Sequence, residues 1–260
     1  MRALISALAV FGLTACDSAP LTDASDLERP DPLRSGSSFL TQETRALQDD
    51  DFANPGFLWV DKGEALFHDQ SLTEAACSSC HGESGGGLVS AAASFPKWKD
   101  GRLLNLEAQI NACRTEHQDL PELAYESEGL LGLTAYVAHL SRGHPLKVDL
   151  VPEADLAFDI GKTYFHTKRG QFNLSCSQCH DDNWGRQLRG DTISQGHGNG
   201  FPAYRLEWQT LGSLHRRFSD CDVGVRAEPK DLGSDIYIAL EYYLAVRANG
   251  LELESPGVRR

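Results

Sequence analysis

The 260-residue chain contains one methionine, Met1. Any metal chemistry in the mature protein therefore proceeds without a thioether ligand. Basic residues are also scarce: 24 Lys and Arg stand against 37 Asp and Glu, a formal charge of -13. That balance excludes the basic footprint of nucleic-acid binding and fits a surface that stays soluble or docks basic partners. Long apolar runs are missing too. The stretch from Ala3 to Leu13 is too short to span a bilayer, and nothing later in the chain approaches membrane length.

That opening stretch follows Met1-Arg2 and leads into Leu13-Thr14-Ala15-Cys16. It reads as an export signal over residues 1–15 whose end resembles a bacterial lipobox, with Cys16 as the lipidated first residue of the mature protein. The expected location is the periplasm, with a lipid anchor to a membrane. An ordinary signal with Cys16 incidental is the alternative, and either places the mature chain in an oxidising compartment.

Four of the seven cysteines form two pentapeptides, Cys77-Ser78-Ser79-Cys80-His81 and Cys176-Ser177-Gln178-Cys179-His180. Each spaces two thiols to add across the vinyl groups of one haem and leaves a histidine to bind iron. Two covalently bound haem c groups are expected, on Cys77 and Cys80 with His81 as ligand, and on Cys176 and Cys179 with His180. Without methionine, the sixth iron position needs another donor. Cys113 and Cys221, one after each haem motif, are the candidates; a disulfide between the two is the alternative. A thiolate on iron lowers the reduction potential, which suits a centre that handles sulfur better than a general electron carrier.

Residues 16–45, rich in Ser, Asp, Pro and Gly, read as a flexible tether. Beyond them the chain repeats itself: Gly63-Glu64-Ala65-Leu66-Phe67-His68 and Gly161-Lys162-Thr163-Tyr164-Phe165-His166 lie 98 positions apart, each just before a haem motif. Each unit continues through a polar or Gly-rich loop and a leftover cysteine to a closing helix, Leu130 to Leu140 or Ile236 to Val246, apolar at helical spacing. The fold expected is all-α, two tandem class I cytochrome c-like domains over 46–150 and 151–260. Pro152 suits the first turn of the helix that opens the second. His68 and His166 read as packing residues of the opening helices, held in reserve as ligands. The loop from Gly190 to Gly200 lacks the Lys-Ser/Thr ending of a phosphate-binding loop and reads as a haem cover.

Around Cys221 the chain is locally basic, with Arg205, Arg216, Arg217 and Arg226. A small dianion such as thiosulfate, repelled by the overall charge, would need such guanidinium groups; a solvated arginine face is the bland alternative. Arg217, four residues before Cys221, shares a helical face with it if the segment is helical. No comparable cluster surrounds Cys113, so catalysis is expected in the second domain and electron relay in the first.

The run from Gly198 to Arg217, reading Gly-Asn-Gly-Phe-Pro-Ala-Tyr-Arg-Leu-Glu-Trp-Gln-Thr-Leu-Gly-Ser-Leu-His-Arg-Arg, then Cys221 and Val225-Arg226-Ala227-Glu228-Pro229, resembles the SoxA family of sulfur-oxidation cytochromes. Ile110-Asn111-Ala112-Cys113-Arg114 is similar to that family's first ligand region. The resemblance implies an L-cysteine S-thiosulfotransferase working with a monohaem partner, SoxX. Such an enzyme couples thiosulfate oxidatively to a cysteine of the carrier SoxYZ and passes electrons to an acceptor c-type cytochrome. It implies that Cys221 is the distal ligand of the active-site haem and can carry a persulfide, that Arg217 assists substrate binding, and that Cys113 ligates the other haem. Two competing functions are a thiosulfate dehydrogenase forming tetrathionate and a non-enzymatic dihaem electron carrier.

Overall fold

The computed structural model describes residues 29–260; the export signal and Cys16 lie outside the described residues. After helix α1 (Gln42–Asp49), the first half runs α2 (Phe57–Phe67), α3 (Cys77–His81), a hairpin of β1 (Lys97–Lys99) and β2 (Arg102–Leu104), α4 (Leu106–His117) and α5 (Glu128–Leu140). The second half begins with Pro152 in the first turn of a 3-10 segment. It continues through α6 (Asp155–His166), α7 (Cys176–His180), the β3–β4 hairpin (Gln187–Leu188, Asp191–Thr192), β5 (Ala203–Arg205), β6 (Thr210–Gly212), α8 (Leu214–Gly224), α9 (Asp235–Arg247) and β7 (Gly257–Arg259).

The same construction occurs twice. In each half a Phe-Pro pair, Phe95-Pro96 or Phe201-Pro202, leads into an antiparallel hairpin, and a capped helix follows. Asn105 caps α4 by accepting from the Ala108 N–H, and Ser213 caps α8 by accepting from the Arg216 N–H. Cys113 and Cys221 each sit eight residues past their cap, so the hairpin and cap set the rotation of the helix that presents the thiol.

In each half the opening and closing helices cross at a glycine. A Cβ on Gly63 would lie 2.8 Å from Tyr136 Cβ, and one on Gly161 2.9 Å from Tyr243 Cβ, both inside van der Waals contact. Glycine thus lets two backbones meet. Phe67 packs on Tyr136 at 5.2 Å between ring centroids and Phe165 on Tyr243 at 5.5 Å.

Two expectations need correction. The architecture is helix-rich, yet three small sheets occur among the described residues, and β5 pairs antiparallel with β6 and parallel with β7. Strands of two or three residues are too short to show apolar alternation, so an all-α pattern concealed them. The tether is also shorter than its composition indicates. Ser35 caps a 3-10 turn, Thr41 caps α1, and residues 32–37 lie against the second half. The Arg34 N–H donates to Gln195 Oε1 at 2.7 Å, Gln195 Nε2 donates to the Pro32 carbonyl at 2.9 Å, and the Ser37 hydroxyl donates to Glu254 at 2.7 Å. Serine and proline served there as caps and hydrogen-bonding groups for a distant loop, which local composition does not reveal.

The halves share their apolar clusters. Ala92, Ala93, Val137 and Ala138 pack with Ala248 and Leu253, and Leu211 joins Val60, Phe67 and Leu133. No helix among the described residues is long and apolar enough to cross a membrane.

Candidate active site

Helix α7 is one turn long and is held by a capping box: the Ser175 hydroxyl accepts from the Gln178 N–H, and Gln178 Oε1 accepts from the Ser175 N–H. Cys176 and Cys179, three residues apart, share one face of that turn. His180 Nδ1 lies 2.8 Å from the Ser194 carbonyl. A carbonyl only accepts, so Nδ1 carries the proton and Nε2 keeps its lone pair, the tautomer an iron ligand needs. Gly196, at φ +77°, lets the covering loop lie flat on the imidazole; a Cβ there would sit 2.8 Å from His180 Cγ.

Cys221 on α8 closes the site. Its thiol hydrogen-bonds His180, and Cys176 and Cys179 both feel its charge. Burial works to raise the Cys221 thiol, but Arg217 and the His180 hydrogen bond outweigh it and hold the thiol below its ordinary value. Two thiols on one helical face, a histidine held at Nδ1 by the Ser194 carbonyl and a thiol hydrogen-bonded to that histidine form a donor set that fits a covalently attached haem ligated by His and Cys.

The four arginines separate. Arg217 acts directly on Cys221, and Arg205 is close enough to Arg217 for the two charges to repel. Arg205 is 5% exposed, pairs with Glu207 at 3.0 Å and lies over Trp208, yet its Nε has no hydrogen-bond partner among the described residues. Arg216 also lies over Trp208 and pairs with Glu126 at 3.5 Å. Arg226 is exposed, bonds Gln171 and lies over Phe172, facing an open groove with Leu156 and Ile160. The structure therefore gathers Cys221, Arg217 and Arg205, sets Arg216 on the same Trp208 ring as Arg205 with Glu126 as its ion partner, and engages Arg226 elsewhere.

In the first half, Cys77 feels the charges of Arg114 and Cys113. Amides surround these thiols: Gln109 Nε2 donates to Cys113 Sγ at 3.2 Å and Gln118 Nε2 to Cys77 Sγ at 3.6 Å. None of the six described cysteines forms a disulfide. His166 Nε2 lies 3.2 Å from the Tyr243 hydroxyl, and His68 lies 3.5 Å from Glu83. Both take part in local contacts at the ends of their helices.

One group was not visible in the sequence. Buried Asp222 accepts from the Tyr164 hydroxyl at 2.6 Å, the Tyr237 hydroxyl at 2.7 Å and Arg169 Nη1 at 3.1 Å. The same Arg169 nitrogen lies 3.7 Å from Cys176 Sγ, so the pair ties the haem-motif helix to α8 beside Cys221. Its members come from three separate segments, and no local pattern joins them.

The chain is similar to curated relatives over most of its length. The L-cysteine S-thiosulfotransferase subunit SoxA of Rhodovulum sulfidophilum is 38% identical over 241 residues, 92% of this chain and 84% of the relative. The chain belongs to the SoxA family. The SoxA subunit of Paracoccus pantotrophus is 36% identical over 232 residues, with 88% and 80% covered. The crystal structure of SoxXA from P. pantotrophus superposes with a TM-score of 0.83 at 34% identity, covering 88% of this chain and 87% of that one. Residues 62–146 match the family model SoxA/TsdA, cytochrome c domain. In SoxA terms that match contains Cys77, Cys80, His81 and Cys113.

Proposed function

We propose that the chain is the dihaem subunit of an L-cysteine S-thiosulfotransferase, built from two tandem cytochrome c domains. It would carry haem c on Cys77 and Cys80 and on Cys176 and Cys179. His81 and Cys113 would ligate the first iron, and His180 and Cys221 the second. The observation that carries this reading is the convergence of Cys221, His180 and Arg217, with the unpartnered Nε of Arg205 close by. A buried guanidinium that repels its neighbour and keeps a free donor is suited to a small dianion, here thiosulfate.

In the reaction, a bond forms between the sulfane sulfur of thiosulfate and a cysteine thiol of a SoxYZ-type carrier. The thiol proton and two electrons leave. Bound haem c supplies the electron-accepting chemistry. Arg217 and Arg205 hold the anion and offset its charge as the second sulfur approaches, in a site where burial makes each charge count for more than in water. The Ser194 carbonyl keeps the His180 proton on Nδ1. Among the described residues the amide-lined thiols of the first half have Arg114 beside Cys77 but no such cation pair, which supports an electron-relay role for that half.

The partners in this reading are a SoxX-type monohaem cytochrome and an acceptor c-type cytochrome. Location in the periplasm, with a lipid anchor at Cys16, follows from the opening residues. Incubating the protein with a SoxX-type partner, a carrier, an electron acceptor and thiosulfate, and weighing the intact carrier, tests the function. The carrier gains one thiosulfate unit, and Cys221→Ala abolishes the gain with both haems still attached. Tetrathionate with an unmodified carrier would instead establish the dehydrogenase.

A further inference from the structure

Away from the thiols, the boundary between the halves buries a cluster of carboxyl groups. Glu107 lies on α4 six residues before Cys113, and His215 on α8 six residues before Cys221. Glu241 projects between them from α9. Glu107 is 7% exposed, His215 1% and Asn105 0%. A buried carboxylate is costly unless paired, so the location of the protons matters.

The hydrogen bonds place them. The Gly233 N–H donates to His215 Nδ1 at 3.0 Å, which puts the ring proton on Nε2, and Nε2 faces Glu241 Oε2 at 3.0 Å. Asn105 Oδ1 accepts from the Ala108 N–H and from the Tyr125 hydroxyl, both at 3.0 Å, which turns its Nδ2 to the same Glu241 oxygen at 3.1 Å. One Glu241 oxygen thus takes the Asn105 amide and lies 3.0 Å from His215 Nε2. Glu107 is faced by Glu241 from α9, by Glu126 from the segment before α5, and by Tyr125. Glu122 adds negative charge beside Tyr125. The nearby cation Arg216 is taken by Glu126, which also accepts the Ser213 N–H at 3.0 Å. Burial first, then the charges of Glu241 and Glu126, push Glu107 up to about 8.

Water can reach the pair. Glu107, Glu241, Thr134, Asn199 and Phe201 line a cavity of about 70 Å³. The Thr134 hydroxyl and the Asn199 side-chain carbonyl are buried without a hydrogen-bond partner in the described residues, which suits ordered water.

We propose that Glu107 and Glu241 form a shared-proton site between the two halves, which takes a proton from cavity water when an electron reaches a neighbouring haem and returns it when the electron leaves. The proposal rests on the dihaem reading. One electron arrives at iron and one proton binds the pair, so the charge added beside Cys113 or Cys221 is offset by a proton taken up at the boundary between the halves. Two residues from different halves thus respond together to either centre.

The test is a redox titration of the intact holoprotein across acid and alkaline pH, with infrared difference spectra recorded at each pH. In the wild type, the midpoint potential of at least one haem falls with rising pH around pH 8, the value to which Glu107 is raised. The carbonyl stretch of a protonated carboxylic acid changes on reduction. Glu107→Gln removes both signals with two haems retained. Glu241→Gln, which leaves Glu107 without its nearest negative neighbour, moves the pH-dependent window to lower pH and covers the case in which the first variant fails to fold. Potentials independent of pH in the wild type, or an unchanged carbonyl signal in Glu107→Gln, would overturn the proposal. Fewer than two haems per chain would overturn the dihaem reading instead, and the static carbonyl difference between wild type and Glu107→Gln would still report the proton.

Discussion

Adding one methyl group at Gly161 tests whether the crossing of α6 and α9 holds the second half together. The new Cβ would lie 2.6 Å from the Ala239 carbonyl carbon and 2.9 Å from Tyr243 Cβ. Carbon atoms in comfortable contact sit about 3.5 Å or more apart, so the helices must separate by roughly 1 Å, which forfeits about a quarter to a half of each contact they share. Phe158, Phe165 and Tyr243 are the buried rings of that crossing. At about 40 contacts per ring and about 0.1 kcal/mol each, losing a quarter costs about 1 kcal/mol per ring, or about 3 kcal/mol in all. The better helix propensity of alanine returns about 1 kcal/mol, leaving Gly161→Ala destabilised by about 2 kcal/mol. For a chain of this size that lowers the melting temperature by about 4–8 °C in a calorimetric scan. Gly224→Ala is the control, because a Cβ there meets nothing within 4 Å. Equal melting temperatures for Gly161→Ala and the wild type would refute the reasoning.

Further variants separate chemistry from scaffold. Arg217→Ala lowers the rate of carrier modification by about 100-fold, the usual scale for removing one preorganised charge, while Arg226→Ala, whose side chain is engaged by Gln171 and Phe172, keeps the wild-type rate in the same intact-mass assay. Asp222→Ala strands Arg169, whose side chain is 15% exposed, and two tyrosine hydroxyls; chemical denaturation shows a loss of about 3–5 kcal/mol. Glu107 is raised from 4.5 to about 8 by burial and by Glu241 and Glu126, so its contribution to stability is complete below pH 4.5 and disappears as pH rises through 8. At about 1.36 kcal/mol per unit this is on the order of 5 kcal/mol, and Glu107→Gln flattens the pH dependence of the melting temperature over that window.

The parts legible in the sequence were those whose chemistry is local. Two CxxCH motifs each fit within five residues, and the closing helices announce themselves through apolar spacing, as in Ile236 to Val246 within α9. The repeated Gly-x-x-x-Phe-His hinted that the glycines had a shared purpose, which the structure identifies as two close helix crossings. Arg217 could be placed beside Cys221 from helical spacing alone. The other arginines could not, because their positions depend on Trp208, Glu126 and Phe172, contacts that only the folded chain creates. The Ser/Pro-rich segment read as a tether for the same reason: the partners of Arg34 and Ser37 are Gln195 and Glu254, more than 150 residues away. Asp222 and the buried carboxyl cluster left no mark, since polar residues at a boundary between two halves look like surface until the halves meet.

The last strand has a consequence for how the molecule is made. β7 pairs in parallel with β5, Val258 is fully buried, its N–H donates to Gln48 Oε1 on α1, and Arg259 reaches the same glutamine. Residues 258 and 259 thus fasten α1 to the second half across 210 positions of sequence. Until this contact forms, the seam stays open, a long-range closure of the kind that forms late. Both Cys-x-x-Cys-His segments lie between the two ends that it joins. The seam acts as a clasp around both segments rather than as part of either one.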